Sequence, residues 1–465
     1  MKSRLFSFLL ALCLLLTVCG CDSAGISPSP SEEAPGSAAP AETAALQVSP
    51  TLELSQREVD WREDFTFLKQ QYIQYHPDPF YFCTEEEFDW KLDRLAAKIP
   101  QLTDNDIYFE LSTIMAGMGD THTEILPSDS FYDRAFPAVA YFFGDRLYLC
   151  GCLEGYEELA PFLLREIVAV NGADMGYLKQ QFERFIDPSN SWRAKELFQR
   201  NYFFPAFFDW VGGDKEGYVF QILNDNREVE FVEMPVIPYS DYVAACRSGE
   251  MVYPESLCSI PYLSSGNRAE YFQEDTGACV YLFFSEMRSI SDTLLQEMIR
   301  GPFEQAAELI EAHPSCDKLV IDLRGHFGGN LTAFECVRQC AQMLKATSIK
   351  RTYIVTGGYT QSAAIECIAI LKDELDAVIV GEPTGQFTSF FMYDYVPAVV
   401  LPHSRIKVEI STGWWDGAPL TEIRRDENGK LYEWESTILP DAFVYQDIED
   451  IRQGRDSVIE WVLAQ

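Results

Sequence analysis

The stretch YTQSAAIECIAILKDELDAVIVGEPTG, residues 359–385, places a serine where the apolar run RTYIVTGG gives way to a helical pattern. A serine at that point has two uses. As an N-cap, its hydroxyl satisfies one of the orphan amides at a helix start. As a nucleophile, it attacks a carbonyl once a base removes its proton and amides hold the oxyanion. The free amides and the dipole of a helix start favour negative charge, so Ala363 is a natural oxyanion donor to Ser362. The small Ala363 and Ala364 leave room for a substrate. On this stretch alone, cap and nucleophile both stand.

A second stretch, KLVIDLRGHFGGN at 318–330, is a buried strand running into a glycine turn. Its glycines allow positive φ and close backbone approach, and successive amides in such a turn form an anion nest. Gly328 or Gly329 is then the second oxyanion donor; a plain turn between strand and helix is the competing use. Asn330 reads as the cap of the next helix. The spacing is not that of a dinucleotide-binding GxGxxG loop.

The base comes from a short list, because the chain has five histidines. His76, His313 and His403 adjoin prolines, which suits turns. His326 lies inside the glycine turn. His122 sits in GDTHTEIL, beside Asp120, Thr121 and Glu124, whose hydroxyl and carboxylate groups are able to fix an imidazole tautomer. Lys372 is ten residues along the Ser362 helix, about 15 Å away by helical rise, and cannot reach.

The elements that must position these groups follow from pattern. Residues 51–128 show apolar positions three and four apart, predicting three helices, the third beginning at Thr103 or Asp104 and ending at Gly117. Residues 129–245 carry short aromatic and β-branched runs (AVAYFF, RLYLC, LREIVAVNG, YVFQIL, VEFVEMP), predicting strands with one helix between them. Residues 239–275 read as a polar connector or lid. From Gly277 strands and helices alternate, so 246–465 is expected to form the α/β layered unit that holds the site.

The first 50 residues are of another kind. MKSRLF is a basic start and SFLLALCLLLTV an apolar core too short for an ordinary spanning helix. The following VCGC resembles a bacterial lipobox with Cys21 as the lipid-bearing residue, making 1–21 a lipoprotein signal peptide. Residues 22–50 are a Ser/Pro/Ala-rich tether. The chain is 47% hydrophobic, 14% aromatic and carries a formal net charge of −36. That charge argues against nucleic acid and against a polybasic grip on anionic lipid. The thirteen cysteines show no spacing that sets a disulfide pattern. Cys336 and Cys340 share a helix face without a second metal half-site, so no metal or other cofactor is expected.

GDTHTEIL, LVIDLRGHFGGN and YTQSAAIECIAILKDELDAVIVGEPTG, in that order, resemble the tail-specific (C-terminal processing) protease family. The likeness is to its tricorn-like and bacterial lipoprotein members and spans roughly residues 55–460. The resemblance implies a crotonase/ClpP-like catalytic core, an N-terminal helical part and a β-rich PDZ-like middle region. LREIVAVNGADM is similar to a segment of the family's PDZ-like modules, although no GLGF-type carboxylate loop is visible. The resemblance makes Ser362 the nucleophile and His122 the base, with Thr121 at the place of a hydroxyl residue beside the histidine. The serine–lysine branch has its base twenty-five positions after the serine, where this chain has Phe387. An orienting carboxylate falls near YEWESTILPD, with Glu433 and Glu435 as unranked candidates. His326 stands where the family usually has asparagine and is a rival base.

The expected function is an extracytoplasmic, lipid-anchored serine peptidase acting on a peptide or protein. His122 deprotonates Ser362, and Ala363 with Gly328 or Gly329 holds the oxyanion. The alternatives are a catalytically inactive peptide-binding lipoprotein on the same fold and a solute-binding lipoprotein, whose two-lobed repeat is not visible.

Overall fold

The computed structural model describes residues 54–465 apart from 128–130, 187–189, 213–216, 264–265, 290, 398 and 418–436. The leader, the tether and Cys21 therefore lie outside the described residues, as do Glu433 and Glu435.

The chain opens with helices Gln56–Tyr75, Glu85–Lys98 and Asp104–Ala116. Each begins at a hydroxyl residue, Ser55, Thr84 or Thr103, whose side chain and an acidic residue three positions on satisfy each other's amides. These caps are local, which is why the helix starts are legible in sequence. Gly117 closes the third helix, and the chain then enters the loop holding Asp120, Thr121 and His122.

The middle of the chain forms a sheet from strands Ala138–Phe143, Arg146–Leu153, Glu166–Val170, Tyr218–Leu223 and Val229–Met234. Where the pattern predicts one intervening helix, the described residues form three α-helices, Met175–Ile186, Ser191–Leu197 and Pro205–Gly212. The two-residue turn Asn171–Gly172 takes φ of 51° and 82°, the left-handed pair that a tight hairpin needs. Residues 239–275 are more regular than their polarity suggests. Tyr239–Ser248 is a helix, Met251–Val252 pairs with the middle sheet, and Arg268–Glu274 is an antiparallel edge strand of the second large sheet. An edge strand has one open side, so polar residues there need no burial.

That second sheet has the order Arg268–Glu274, Gly277–Phe283, Lys318–Asp322, Arg351–Thr356, Val378–Gly381 and Ala442–Phe443, parallel after the first pair. One face, including Leu282, Ile321 and Ile354, packs on helices Asp292–Ala312, Phe334–Lys345 and Ala363–Leu375. The other, including Tyr281, Val320 and Val355, packs on the C-terminal helix Ser457–Leu463. Side chains alternate across a strand, so near-continuous apolar runs are what a sheet covered on both faces requires.

Val399–Val400 does not join this sheet. It pairs with Lys407–Glu409, which in turn pairs antiparallel with Glu124–Leu126, a strand that begins two residues after His122. The histidine loop is thereby fastened to a hairpin from the far end of the chain.

Candidate active site

The parallel strands Lys318–Asp322, Arg351–Thr356 and Val378–Gly381 end side by side, and the three turns that follow them converge. Ligand sites in such sheets lie beyond the carboxyl ends of the strands. The first turn holds His326, Gly328 and Gly329; the second holds Ser362; the third holds Gln386.

Ser362 opens helix Ala363–Leu375 with φ 55° and ψ −132°, and its side chain makes no capping hydrogen bond. A non-glycine residue in this region is strained by on the order of 1–3 kcal/mol. The conformation is that of a strand–turn–helix elbow, which presents the side chain away from the helix. The hydroxyl Oγ instead lies 3.2 Å from His122 Nε2. Gly328 explains how the turns approach so closely: a Cβ there would stand 2.6 Å from Ser362 Cβ.

His122 is held from below by Asp120, which is 4% exposed. One oxygen of Asp120 accepts the His122 backbone amide at 2.9 Å, and the other accepts Thr123 Oγ1 at 2.5 Å and His76 Nε2 at 3.1 Å. The amide of Asp78 donates to His76 Nδ1 at 3.1 Å, so the proton of His76 is on Nε2, facing the carboxylate. Burial acts to raise the Asp120 pKa, but the hydrogen bonds from His76 and Thr123 and the neighbouring imidazoles more than offset it, and the carboxyl is held below its usual range. Asp120 thus orients the loop, while the imidazole of His122 has other partners.

Thr121 Oγ1 is 3.3 Å from His122 Nδ1. Gln386, absent from the sequence reading, completes the group. Its Oε1 accepts the backbone N–H of Ser362, so its amide nitrogen faces the other way. That nitrogen donates to Thr121 Oγ1 at 2.5 Å and lies 3.2 Å from His122 Nδ1. A single buried amide therefore ties nucleophile turn, hydroxyl and imidazole together. Nothing in GEPTGQFTS marks it except its place immediately before Phe387.

Phe390 stacks on the His122 ring at 5.5 Å and Tyr393 meets it edge-on at 5.3 Å. The Tyr393 hydroxyl contacts the His122 carbonyl and Glu409. Burial among these groups lowers the His122 pKa to about 4; the charge of Asp120 opposes the shift and that of Arg193 adds to it. The imidazole is therefore neutral at pH 7. Arg193 is itself buried and donates to the Thr121 carbonyl at 3.0 Å.

His326 is placed differently from a rival base. Its Nδ1 accepts the Gly328 amide at 3.0 Å, its ring packs edge-on against Phe284, and burial pushes its pKa down to about 3. It braces the glycine turn from inside. Because it consumes the Gly328 amide, the oxyanion donors that remain from the sequence reading are the amides of Gly329 and Ala363, for which no hydrogen bond is seen among the described residues. Asn330 does not cap by its side chain; its Oδ1 accepts the Ser289 amide at 3.1 Å. Lys372 is turned away and pairs with Asp441 at 3.0 Å, and Phe387 is buried.

No family model matches the chain, and no curated protein matches it in sequence. Solved structures do match. Mature CPAF complexed with lactacystin aligns with a TM-score of 0.55 at 13% identity, over 88% of this chain and 98% of that one. A serine-to-alanine mutant of CPAF gives 0.57 at 12%, over 88% and 97%. The photosystem II D1 C-terminal processing protease covers 89% of this chain and 98% of its own, with 12% identity, but its TM-score of 0.38 is too loose to argue from. At these identities the likeness to CPAF is one of fold.

Two outcomes follow from the site. Glycine takes the Ser362 conformation without strain and alanine does not, so Ser362→Gly should be more stable than Ser362→Ala by roughly 1 kcal/mol or more; parallel thermal unfolding measures it. Gln386→Glu would set a negative charge beside His122 Nδ1, favouring the imidazolium and raising its pKa. The acid limb of any Ser362-dependent rate, near pH 4 in the native chain, should move up by at least one pH unit in that variant.

Proposed function

We propose that this chain is a serine peptidase of the tail-specific processing type, acting through Ser362 and His122. The observation that carries the proposal is the 3.2 Å contact between His122 Nε2 and Ser362 Oγ, groups 240 positions apart, made by a serine held in a backbone conformation that a cap does not need. The fold shared with CPAF and the three sequence motifs support the same reading. An inactive peptide-binding surface would have no use for a neutral imidazole aimed at a strained serine.

In the competent tautomer His122 Nδ1–H donates to Thr121 Oγ1, leaving the Nε2 lone pair toward Ser362. As Oγ attacks the peptide carbonyl, Nε2 takes its proton and later delivers it to the leaving amine. The developing oxyanion is held by the amides of Ala363 and Gly329, while Gly328 gives the close approach and His326 keeps its turn in shape. Water, deprotonated by the same imidazole, then releases the acyl group. Gln386 positions both partners: it holds the Ser362 amide with one end and Thr121 with the other. In this scheme Asp120 supplies the loop geometry that an orienting carboxylate supplies elsewhere. The alternating sheet takes the part of the crotonase/ClpP-like core, and the middle sheet that of the PDZ-like substrate guide.

A serine-reactive phosphonate tests the assignment. Labelling at neutral pH should be lost in Ser362→Ala and kept in Ser389→Ala, whose hydroxyl lies by Asp416. It should fall by about a hundredfold or more in His122→Ala, while His326→Ala keeps labelling at a reduced rate; the reverse pattern of the two histidines would refute the base. Wild-type protein that neither labels nor cleaves a mixed peptide library would leave peptide binding as the function.

The basic and apolar leader ending in VCGC supports a location outside the cytoplasm, on a lipid anchor at Cys21. Metabolic labelling with palmitate in a bacterial host should mark the wild-type chain and not Cys21→Ala, which should appear in the soluble fraction.

A further inference from the structure

Beyond the groups that perform the chemistry, one cation stands at the rim of the same site. Arg288 follows strand Gly277–Phe283, and its backbone is fastened to the glycine turn. The Met287 carbonyl accepts the Asn330 amide at 2.8 Å, Met287 bridges Gly329, and the Ser289 amide donates to Asn330 Oδ1 at 3.1 Å. A Cβ on Gly329 would meet the Met287 carbonyl oxygen at 2.0 Å and the Arg288 nitrogen at 3.2 Å, so the two segments are in backbone contact.

From this fixed base the exposed Arg288 side chain lies over the ring of Phe327, with 4.7 Å between the guanidinium carbon and the ring centre. Phe327 is the residue before Gly328, which packs against Ser362. The guanidinium is therefore beside the turn that holds the oxyanion amides. Its charge also reaches Glu409, which shares the Tyr393 hydroxyl with the His122 carbonyl.

Its electrostatic situation is unusual for this protein. The chain has 72 acidic and 36 basic residues, so most cations have a carboxylate at hand. Phe327 also approaches Tyr359 at 6.0 Å, and Tyr359 carries a second guanidinium, Arg200, at 4.0 Å. That one is neutralised by Glu196 at 3.1 Å. Among the described residues Arg288 forms no ion pair. A guanidinium stacked on an aromatic face keeps its N–H edge free for a planar, two-oxygen acceptor, which a carboxylate is.

We propose that Arg288 is a substrate-recognition residue, which binds the carboxylate of an acidic peptide side chain close to the scissile bond. The proposal rests on the peptidase reading above and names a substrate class for it: peptides with an acidic side chain beside the cleaved bond. A strongly acidic surface would disfavour such peptides at long range, so a local cation at the cleft is what makes them acceptable. Selectivity should then arise at the site and not in the approach to it.

The experiment uses the full folded chain with its leader removed and matched quenched peptides around one cleaved sequence. In one arm Glu or Asp is exchanged for Gln or Asn at each position flanking the bond; in the other the peptide ends in a free acid or an amide. The wild-type chain should favour the acidic member of one Glu/Gln or Asp/Asn pair by roughly ten- to a hundredfold in kcat/KM, the weight of one charge-assisted pair. A preference seen only between the free-acid and amide ends would belong to chain-end capture and would overturn the proposal. Arg288→Gln should bring the ratio near one, Arg288→Lys should retain part of it, and Arg288→Glu should turn it toward peptides with Lys at that position. Equal wild-type rates for both members of every pair, or a preference that survives in Arg288→Gln, would overturn the proposal while leaving the peptidase standing. Absence of any cleavage and of Ser362 labelling would overturn both.

Discussion

The geometry of the whole site depends on one backbone constraint: Ser362 is held at positive φ with the Gly328 turn pressed against its β-carbon. A serine left to its own preferences would relax into a capping conformation and turn its hydroxyl back to the helix. It is kept from doing so by fixed neighbours. The Ser362 amide is bound by Gln386, the Gln361 amide donates to the His326 carbonyl, and Thr360 Oγ1 donates to the Leu323 carbonyl. Three successive strand ends of a rigid parallel sheet thus over-determine one residue. Strain of this kind persists only where the surroundings are stiffer than the strained bond.

The histidine side is built by a separate means. Its loop has little regular structure of its own, and a buried carboxylate organises it. Asp120 collects the backbone of His122, the hydroxyl of Thr123 and the ring of His76, and Thr123 Oγ1 passes the order on to the Ser411 amide. Partnered in this way, the charge is tolerable inside the protein; removing any one partner would leave it exposed to a medium of low polarity. The middle of the chain then locks the two sides in register. Asn190 donates to the Thr384 carbonyl and Arg193 to the Thr121 carbonyl, and the Trp192 backbone lies against Gly358. A region that contributes neither Ser362 nor His122 therefore sets the distance between them.

Local signals were the legible part. Hydroxyl caps, the Asn–Gly hairpin, the apolar strands covered on both faces and the serine at a strand-to-helix turn all follow from interactions between residues a few positions apart. His122, Ser362, Ala363 and the glycine turn could be nominated because their residue types and neighbours suit the chemistry. The competition between His122 and His326 could not be resolved that way, since both stand in polar, glycine-bearing turns. Only the fold shows one imidazole facing the serine hydroxyl and the other engaged by a backbone amide.

By itself, then, the sequence determined the opening helices, the central parallel strands, and a short list of groups with the right acid–base chemistry, but not the elements of 239–275 or the pairing of Val399–Val400. Tertiary structure alone decided that Gln386 joins them, that Gly328 spends its amide on His326, and that Asp120 serves the loop while Thr121 faces the ring. The division has a physical cause. Secondary structure is governed by contacts within one or two turns of chain, whereas proton sharing and oxyanion binding require atoms from distant segments within about 3 Å, a condition no local pattern encodes.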